Sequence, residues 1–322
     1  MQILRYCLPC IRILLKNLEG QVGFEVSDDR SCLRLDGRRY QRPIEDHMGV
    51  VIAIVNNKGG VGKTTAACNL AHALGLRSRR VLVVDLDPQC NATSLLLSKH
   101  PDRQHNLSEL LADETRGTPI SRFIYPSSYA GVFCLPNIPE TASLEPELIL
   151  SSPTSLLRVR HHLRDYVLRH FDFVIIDTPP NLGTFVLCGL NTADFALVPV
   201  KAGSAFSVAG LLKAVRLINE VRIQDNKDLK FLRLLINCVD KRTLISRALT
   251  EQLFRTFRED QVFRTSIPGN TDFEQAEAAG VTIFRYNPRA PGARAFRELA
   301  QELLDIFAGE TLPAERPHHA QS

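Results

Sequence analysis

Between residues 50 and 239 the chain alternates unbroken apolar runs with stretches whose apolar residues recur every three or four positions. The runs are VVIAIVN (50–56), RVLVVDLD (80–87), FDFVIIDTPP (171–180), DFALVPV (194–200) and FLRLLINCV (231–239). They are rich in β-branched residues and lack polar alternation, so each predicts a strand buried on both faces. Helical periodicity marks TTAACNLAHALGL, SPTSLLRVRHHLRDYVLR, SAFSVAGLLKAVRLINEV, LISRALTEQLFRTFRE and ARAFRELAQELLDIFAG. Strands alternating with helices predict an α/β fold, a mainly parallel sheet with helices on both faces. Ligands then bind where the carboxyl ends of the strands meet their loops.

Three parts follow from this rhythm. Residues 1–48 are irregular and arginine-rich, ending in RRYQRPIEDHM. Two origins stay open for them: an accessory segment, or the product of a start codon chosen upstream of Met48. As a segment it offers basic and apolar content for a partner or, if helical, a membrane surface. Its Cys7 and Cys10 make at most half a metal site, and adding Cys32 and His47 gives no recognised zinc spacing. Residues 49–308 form one domain. The last stretch, GETLPAERPHHAQS (309–322), is polar, contains two prolines and reads as a disordered tail.

Composition narrows the picture only a little. With 322 residues and 44% hydrophobic content the chain can bury a large core. A formal net charge of +4 is too mild to identify a nucleic-acid partner without a local patch. Eight cysteines without dense spacing fit a reduced, cytoplasmic compartment. No apolar run reaches the length of a membrane span. The first twenty residues lack the uninterrupted apolar stretch and small-residue cleavage site of a targeting segment.

The chemistry sits directly after the first run, in NNKGGVGKTT, Asn56 to Thr65. A glycine loop that follows a strand and ends in Gly62, Lys63 and Thr64 at the start of a helix is the context of a phosphate-binding loop, so the fold is of P-loop NTPase type. Gly59, Gly60 and Gly62 let backbone N–H groups turn inward around phosphate oxygens, and the helix N-terminus adds partial positive charge. Lys63 suits the β- and γ-phosphates, and the Thr64 hydroxyl suits Mg²⁺. Asn57 stands where the usual pattern has glycine. One lysine suffices for this chemistry, yet Lys58 supplies a second.

The run KGGVGKTT, from Lys58 to Thr65, resembles the deviant Walker A ATPases, in particular the ParA/Soj chromosome- and plasmid-partition branch of the ParA/MinD family. The resemblance covers roughly residues 49–308. It implies that Gly59, Gly60, Val61, Gly62, Lys63, Thr64 and Thr65 bind ATP and that Lys58 crosses a homodimer interface to the partner's ATP. VLVVDLDPQCNATS resembles the family's second aspartate motif, which makes Asp87 the residue that positions the attacking water and joins the Mg²⁺ shell. Asp85 is left a structural role or one supporting the metal's ligands from behind. VIIDTPP resembles the Walker B segment, with Asp177 on the Mg²⁺ side. LLINCVDKRT places Asn237 where the family often uses an amide to read adenine, although an ordinary turn cap gives the same residue. Pro268 is the implied backbone edge holding the base.

Two departures matter. Cys90 replaces a glycine in DPQGN, and a buried small hydrophobe is the simpler reading than a redox site. At Gly269, Asp272 and Val281 a glycine, an acid and a valine replace three cations that help the family bind DNA nonspecifically. Nearby basic residues offer compensation: Lys241, Arg242, Arg247, Arg255 and Arg258, then Arg264, Arg285 and Arg289. Spacing puts Arg247, Arg255 and Arg258 near one helical face, where a plainly solvated face is an equal alternative.

The resemblance implies a nucleoid-associated switch in which ATP joins two subunits, the dimer holds DNA, and a centromere-binding ParB-type partner triggers hydrolysis. A second reading keeps the switch but gives it a non-DNA cargo. MinD-type membrane use needs a basic amphipathic helix at the end of the chain, where LLDIFAGETLPAERPHHAQS is acidic and broken by proline. A cluster-carrying reductase needs paired cysteines across a dimer, and neither Cys90 nor Cys134 has the neighbours for it.

Overall fold

The computed structural model describes residues 49–97, 105–115, 117–202, 207–240 and 243–308. All belong to the compact unit that runs from Tyr40 to Ser322. The expectations for residues 1–48 and 309–322, and for Lys241 and Arg242, lie outside the described residues.

Seven strands form one sheet: β1 Val50–Ile54, β2 Val81–Asp85, β3 Tyr125–Pro126, β4 Val132–Leu135, β5 Phe173–Asp177, β6 Phe195–Lys201 and β7 Lys230–Asn237. Their spatial order is β3-β4-β2-β5-β1-β6-β7, and every pairing except β3 with β4 is parallel. All five apolar runs are strands. VFCL of β4 and the two-residue β3 are additions at the far edge. Four apolar residues between turns carry no readable period, so only pairing with β2 defines β4 as a strand.

Eleven helices are described. They are α1 Lys63–Gly75, α2 Asn91–Leu96, α3 Leu107–Leu111, α4 Glu145–Leu150, α5 Arg158–His170, α6 Thr184–Thr192, α7 Ser207–Gln224, α8 Leu244–Thr256, α9 Thr271–Ala278, α10 Ile283–Tyr286 and α11 Pro291–Ala308. On one face of the sheet, Ile52, Ile54, Val83 and Ile175 pack with Leu70 and Leu74 of α1 and Phe296, Leu299 and Leu303 of α11. The intervening residues Val51, Ala53, Leu82, Val84 and Val174 point the other way and are equally buried, with α6 and α7 packed on β1, β6 and β7. Two covered faces explain why the runs are continuously apolar. Truncating one of these buried leucines to alanine would cost about 2–5 kcal/mol.

Two predicted helices are shorter than their sequence patterns. The stretch before α5 is a 3-10 turn, Thr154–Leu157. Likewise α8 stops at Thr256, because buried Phe257 is extended at φ −105°, ψ 151° while its N–H still bonds Leu253 O. Arg258 therefore leaves the helix that Arg247 and Arg255 share, which corrects the expected common face.

Candidate nucleotide-binding site

Parallel pairing places three strand ends in one row. Asp177 at the end of β5 stands opposite Ile54 of β1 on one side and Asp85 of β2 on the other. The loop from Val55 to Gly62 leaves β1 at this edge and delivers Lys63 to the first position of α1. Two buried carboxylates, a buried lysine and a helix N-terminus thus converge where the sheet topology places ligands.

The loop is braced on several sides. Asn56 donates to Pro199 O of β6 at 2.7 Å, and its Oδ1 accepts the Lys58 N–H at 3.0 Å. Lys63 Nζ donates to Lys58 O at 3.2 Å, inside the loop's own curve. Asn237, at the end of β7, donates to Val61 O at 2.9 Å and accepts the Cys238 N–H at 2.9 Å. Gly62 has φ +84°, and a Cβ there would lie 2.1 Å from Asn237 Nδ2. Only glycine fits this position.

The structure gives Asn237 a bracing contact that stands beside the expected adenine reading. Its buried amide supports the loop from below, with its oxygen and one N–H already engaged. Sequence alone could not show this, since the partners lie 176 residues apart. Pro268 is half-buried beside it, in a segment held to β7 through a bridge to Val239.

The carboxylates divide by their partners. Asp85 is fully buried and accepts from Thr93 N at 2.8 Å, Thr93 Oγ1 at 2.7 Å and Asp87 N at 3.1 Å. Burial pushes its pKa up to about 6, while the Thr93 and Asp87 hydrogen bonds pull the other way. Asp85 is thus a tie between β2, α2 and the following loop, in line with the structural role assigned to it. Asp87, two residues beyond the strand, accepts Gln89 N at 3.0 Å. Asp177 is buried with neither oxygen hydrogen-bonded. Burial and the Asp85 charge push its carboxyl well above the ordinary range; the Thr64 hydroxyl lowers it, Asp87 raises it and Lys63 lowers it. Burial also lowers the Lys63 pKa, against the pull of Asp177 and Asp87.

An unpartnered buried carboxylate is costly, and its placement beside Thr64 fits a hard cation with oxygen ligands. Among the described residues no three His, Cys, Asp or Glu side chains form a metal cage. Mg²⁺ needs none, because it keeps waters and binds chiefly through one or two carboxylates and substrate phosphates. The donor set fits Mg²⁺.

Known proteins agree with this geometry. The sequence profile of an AAA domain family matches residues 49–231. The chain is 38% identical to the chromosome-partitioning ATPase Soj of Thermus thermophilus, over 79% of this chain and 94% of that one. It is 34% identical to the sporulation initiation inhibitor protein Soj of Bacillus subtilis, over 80% of this chain and 98% of that one. The chain belongs to the ParA/Soj family of P-loop ATPases. Among solved structures, cobyrinic acid a,c-diamide synthase from Mycobacterium smegmatis with bound ADP and magnesium superposes with a TM-score of 0.69 at 30% identity. That match covers 84% of this chain and 100% of the other.

Against other ParA/Soj proteins, Cys90 now has a physical reading. It adopts φ +55° before α2, a left-handed conformation that glycine takes freely and cysteine takes at a cost of about 1 kcal/mol. Its buried Sγ donates to Pro88 O at 3.3 Å. The proposed DNA-binding cations fare unevenly. Arg258 grips Asp260 through two bonds, 3.0 and 2.8 Å, and Arg255 lies 3.8 Å from Glu251. Arg247 and Arg264 are exposed. Asn270 caps α9 by accepting the Asp272 N–H at 3.1 Å, and the Asp272 carboxylate accepts from the Asn270 and Asn287 amides at 3.0 and 3.1 Å, so the acid serves a turn. No described helix is long and apolar enough to cross a membrane.

Proposed function

We propose that this ParA/Soj-family ATPase is a dimerising switch, in which Mg²⁺-dependent ATP hydrolysis times the holding and release of DNA during its segregation. The observation that carries this reading is the braced loop with buried Lys63 facing the unpartnered Asp177 carboxylate. Backbone N–H groups of residues 59–65 and the α1 N-terminus hold the triphosphate. Lys63 leaves Lys58 O for the phosphates, and Thr64, Asp87 and Asp177 hold Mg²⁺ or its waters. Bound there, Mg²⁺ neutralises charge on the β- and γ-phosphate oxygens. Asp87, buried two residues beyond the end of β2, accepts a hydrogen bond from the attacking water and orients it. Asn237 fixes the loop, and the backbone at Pro268 flanks the base.

Lys58 lies on the outer turn of the loop, half-buried, ahead of the exposed Gly59 and Gly60. From there its ammonium reaches the nucleotide of a second subunit, so that ATP joins the two. The expected partners are a second copy, nonspecific DNA and a ParB-type centromere-binding protein that completes the site, with the nucleoid as location. The domain unit is 49–308, with 1–48 and 309–322 as appendages.

The test separates the two lysines. Lys63→Ala should abolish ATP binding, whereas Lys58→Ala should bind ATP with near-normal affinity yet sediment as a monomer. A Lys58→Ala protein that still dimerises with ATP would sink the shared-lysine mechanism.

A further inference from the structure

The fifteen residues 283–297, IFRYNPRAPGARAFR, contain arginines 285, 289, 294 and 297 and no acid. That local charge equals the formal net charge of the entire chain, +4. The apolar residues of the stretch turn inward: Ile283, Phe284, Ala290, Ala293 and Phe296 are all buried. Arg285, Arg289 and Arg294 are exposed, and no hydrogen bond or ion pair engages their guanidinium groups among the described residues. Arg297 differs, since it donates to Pro288 O at 2.9 Å and lies over the Phe284 ring. Asp272 touches this stretch through Asn287, at 3.1 Å, and not through an arginine.

The stretch is also fastened to the phosphate-binding helix. Asn69 of α1 donates to Thr65 O at 2.8 Å and accepts the Ile283 N–H at 2.9 Å. One turn on, His72 Nδ1 pairs with Thr282 Oγ1 at 2.7 Å, and Tyr129 Oη accepts the Thr282 N–H at 3.1 Å. Backbone bonds from Asn287 to Ile283, Ala290 to Asn287 and Arg294 to Ala290 carry the chain through its turns without slack. The arginines are thus mounted at a fixed place relative to the phosphate loop.

We propose that Arg285, Arg289 and Arg294 form the DNA-backbone contact of this protein, replacing the cations absent at Gly269, Asp272 and Val281. This rests on the DNA-holding reading given above. Guanidinium forks match phosphate oxygens and carry no base information, so the contact is sequence-independent. Because each strip is fixed to its own α1, joining two subunits through ATP sets two strips at a constant separation. The second strip then binds as an intramolecular event, which raises DNA affinity without any new contact. Arg255 and Arg258, already facing carboxylates, contribute little.

The experiment uses the full chain with ATP and Mg²⁺ on a duplex of arbitrary sequence, titrated across a salt series. It compares wild type, the triple variant Arg285→Gln/Arg289→Gln/Arg294→Gln and the control Arg255→Gln/Arg258→Gln. Three phosphate contacts per subunit predict that the triple variant binds about 10–100-fold more weakly, with the log–log salt slope reduced by about 3 or more. The control should match wild type. ATP binding and dimerisation measured on the same samples show that each variant is folded, since none of these residues lies at the nucleotide. A triple variant with wild-type affinity and slope overturns the assignment, as does a control that loses binding in its place. Wild type that dimerises with ATP yet binds no DNA overturns the DNA-holding reading itself, and the strip with it.

Discussion

The phosphate loop and the arginine strip are both cationic regions built for phosphate, yet they are made in opposite ways. In the loop, Lys63 is buried and its surroundings are specified: Asn56 ties the loop to Pro199, Asn237 holds Val61 O, and Gly62 stands where no side chain fits. In the strip, the guanidinium groups are exposed and only the backbone beneath them is fixed. A buried charge needs partners in exact supply, because each unpaired group costs several kcal/mol. An exposed charge needs none, so selection on it is weak and its position can drift across the surface. On the proposed assignment, that freedom lets the C-terminal segment carry its cations at 285, 289 and 294 while the loop keeps its motif.

The sharpest way to break this contrast is Asp177→Asn. The substitution keeps the shape and removes a buried carboxylate that has no hydrogen-bond partner. Hydrolysis should fall at least about 100-fold, since Mg²⁺ loses an anionic ligand. Stability of the nucleotide-free protein should hold or rise by about 1–3 kcal/mol, because folding no longer has to desolvate an ionisable carboxyl beside Asp85. Loss of activity together with loss of stability would instead make Asp177 a structural residue.

The same contrast explains what was legible. KGGVGKTT, DLD and VIIDTPP could be read because their neighbours in sequence are also their neighbours in space: each motif sits at one strand end. Strands β1, β2, β5, β6 and β7 were legible for a related reason, as burial on both faces writes an unbroken apolar run. β4 escaped because VFCL is too short to carry a period, and the bracing contact of Asn237 was invisible because its partner Val61 is far away in sequence. The arginines were visible as letters but not as free or engaged. The Arg258 pairing with Asp260 depends on α8 ending at Thr256, which a helical pattern running on to Glu259 conceals.

The joint between the two regions gives the next prediction. His72 lies on α1 and holds Thr282, just before the strip. Burial, with a smaller push from Arg297, lowers its pKa from 6.5 to about 4. The folded protein therefore favours neutral His72, and the unfolded chain takes up the proton first as pH falls. Stability from this group is complete above pH 6.5, declines between pH 6.5 and about 4, and levels off below, for a total of about 3 kcal/mol. Denaturant unfolding of wild type and His72→Gln across that range should differ in slope, wild type losing up to about 3 kcal/mol more than the variant as pH falls. Equal slopes would mean that His72 titrates normally and that the joint is open to water.

The smallest effect decides what Asn237 does. If its amide supports the loop, Asn237→Ala leaves Val61 O and the Cys238 N–H without their partner, a cost of about 1–3 kcal/mol. Some of that cost appears as weaker nucleotide binding, about tenfold, and it falls equally on ATP and GTP because the loop touches only phosphates. If the amide reads adenine, the same variant loses ATP affinity and leaves GTP affinity unchanged. Measuring both nucleotides on one variant separates the two roles. An equal loss places Asn237 with Asn56 among the buried braces that let Gly62 turn and Lys63 face inward.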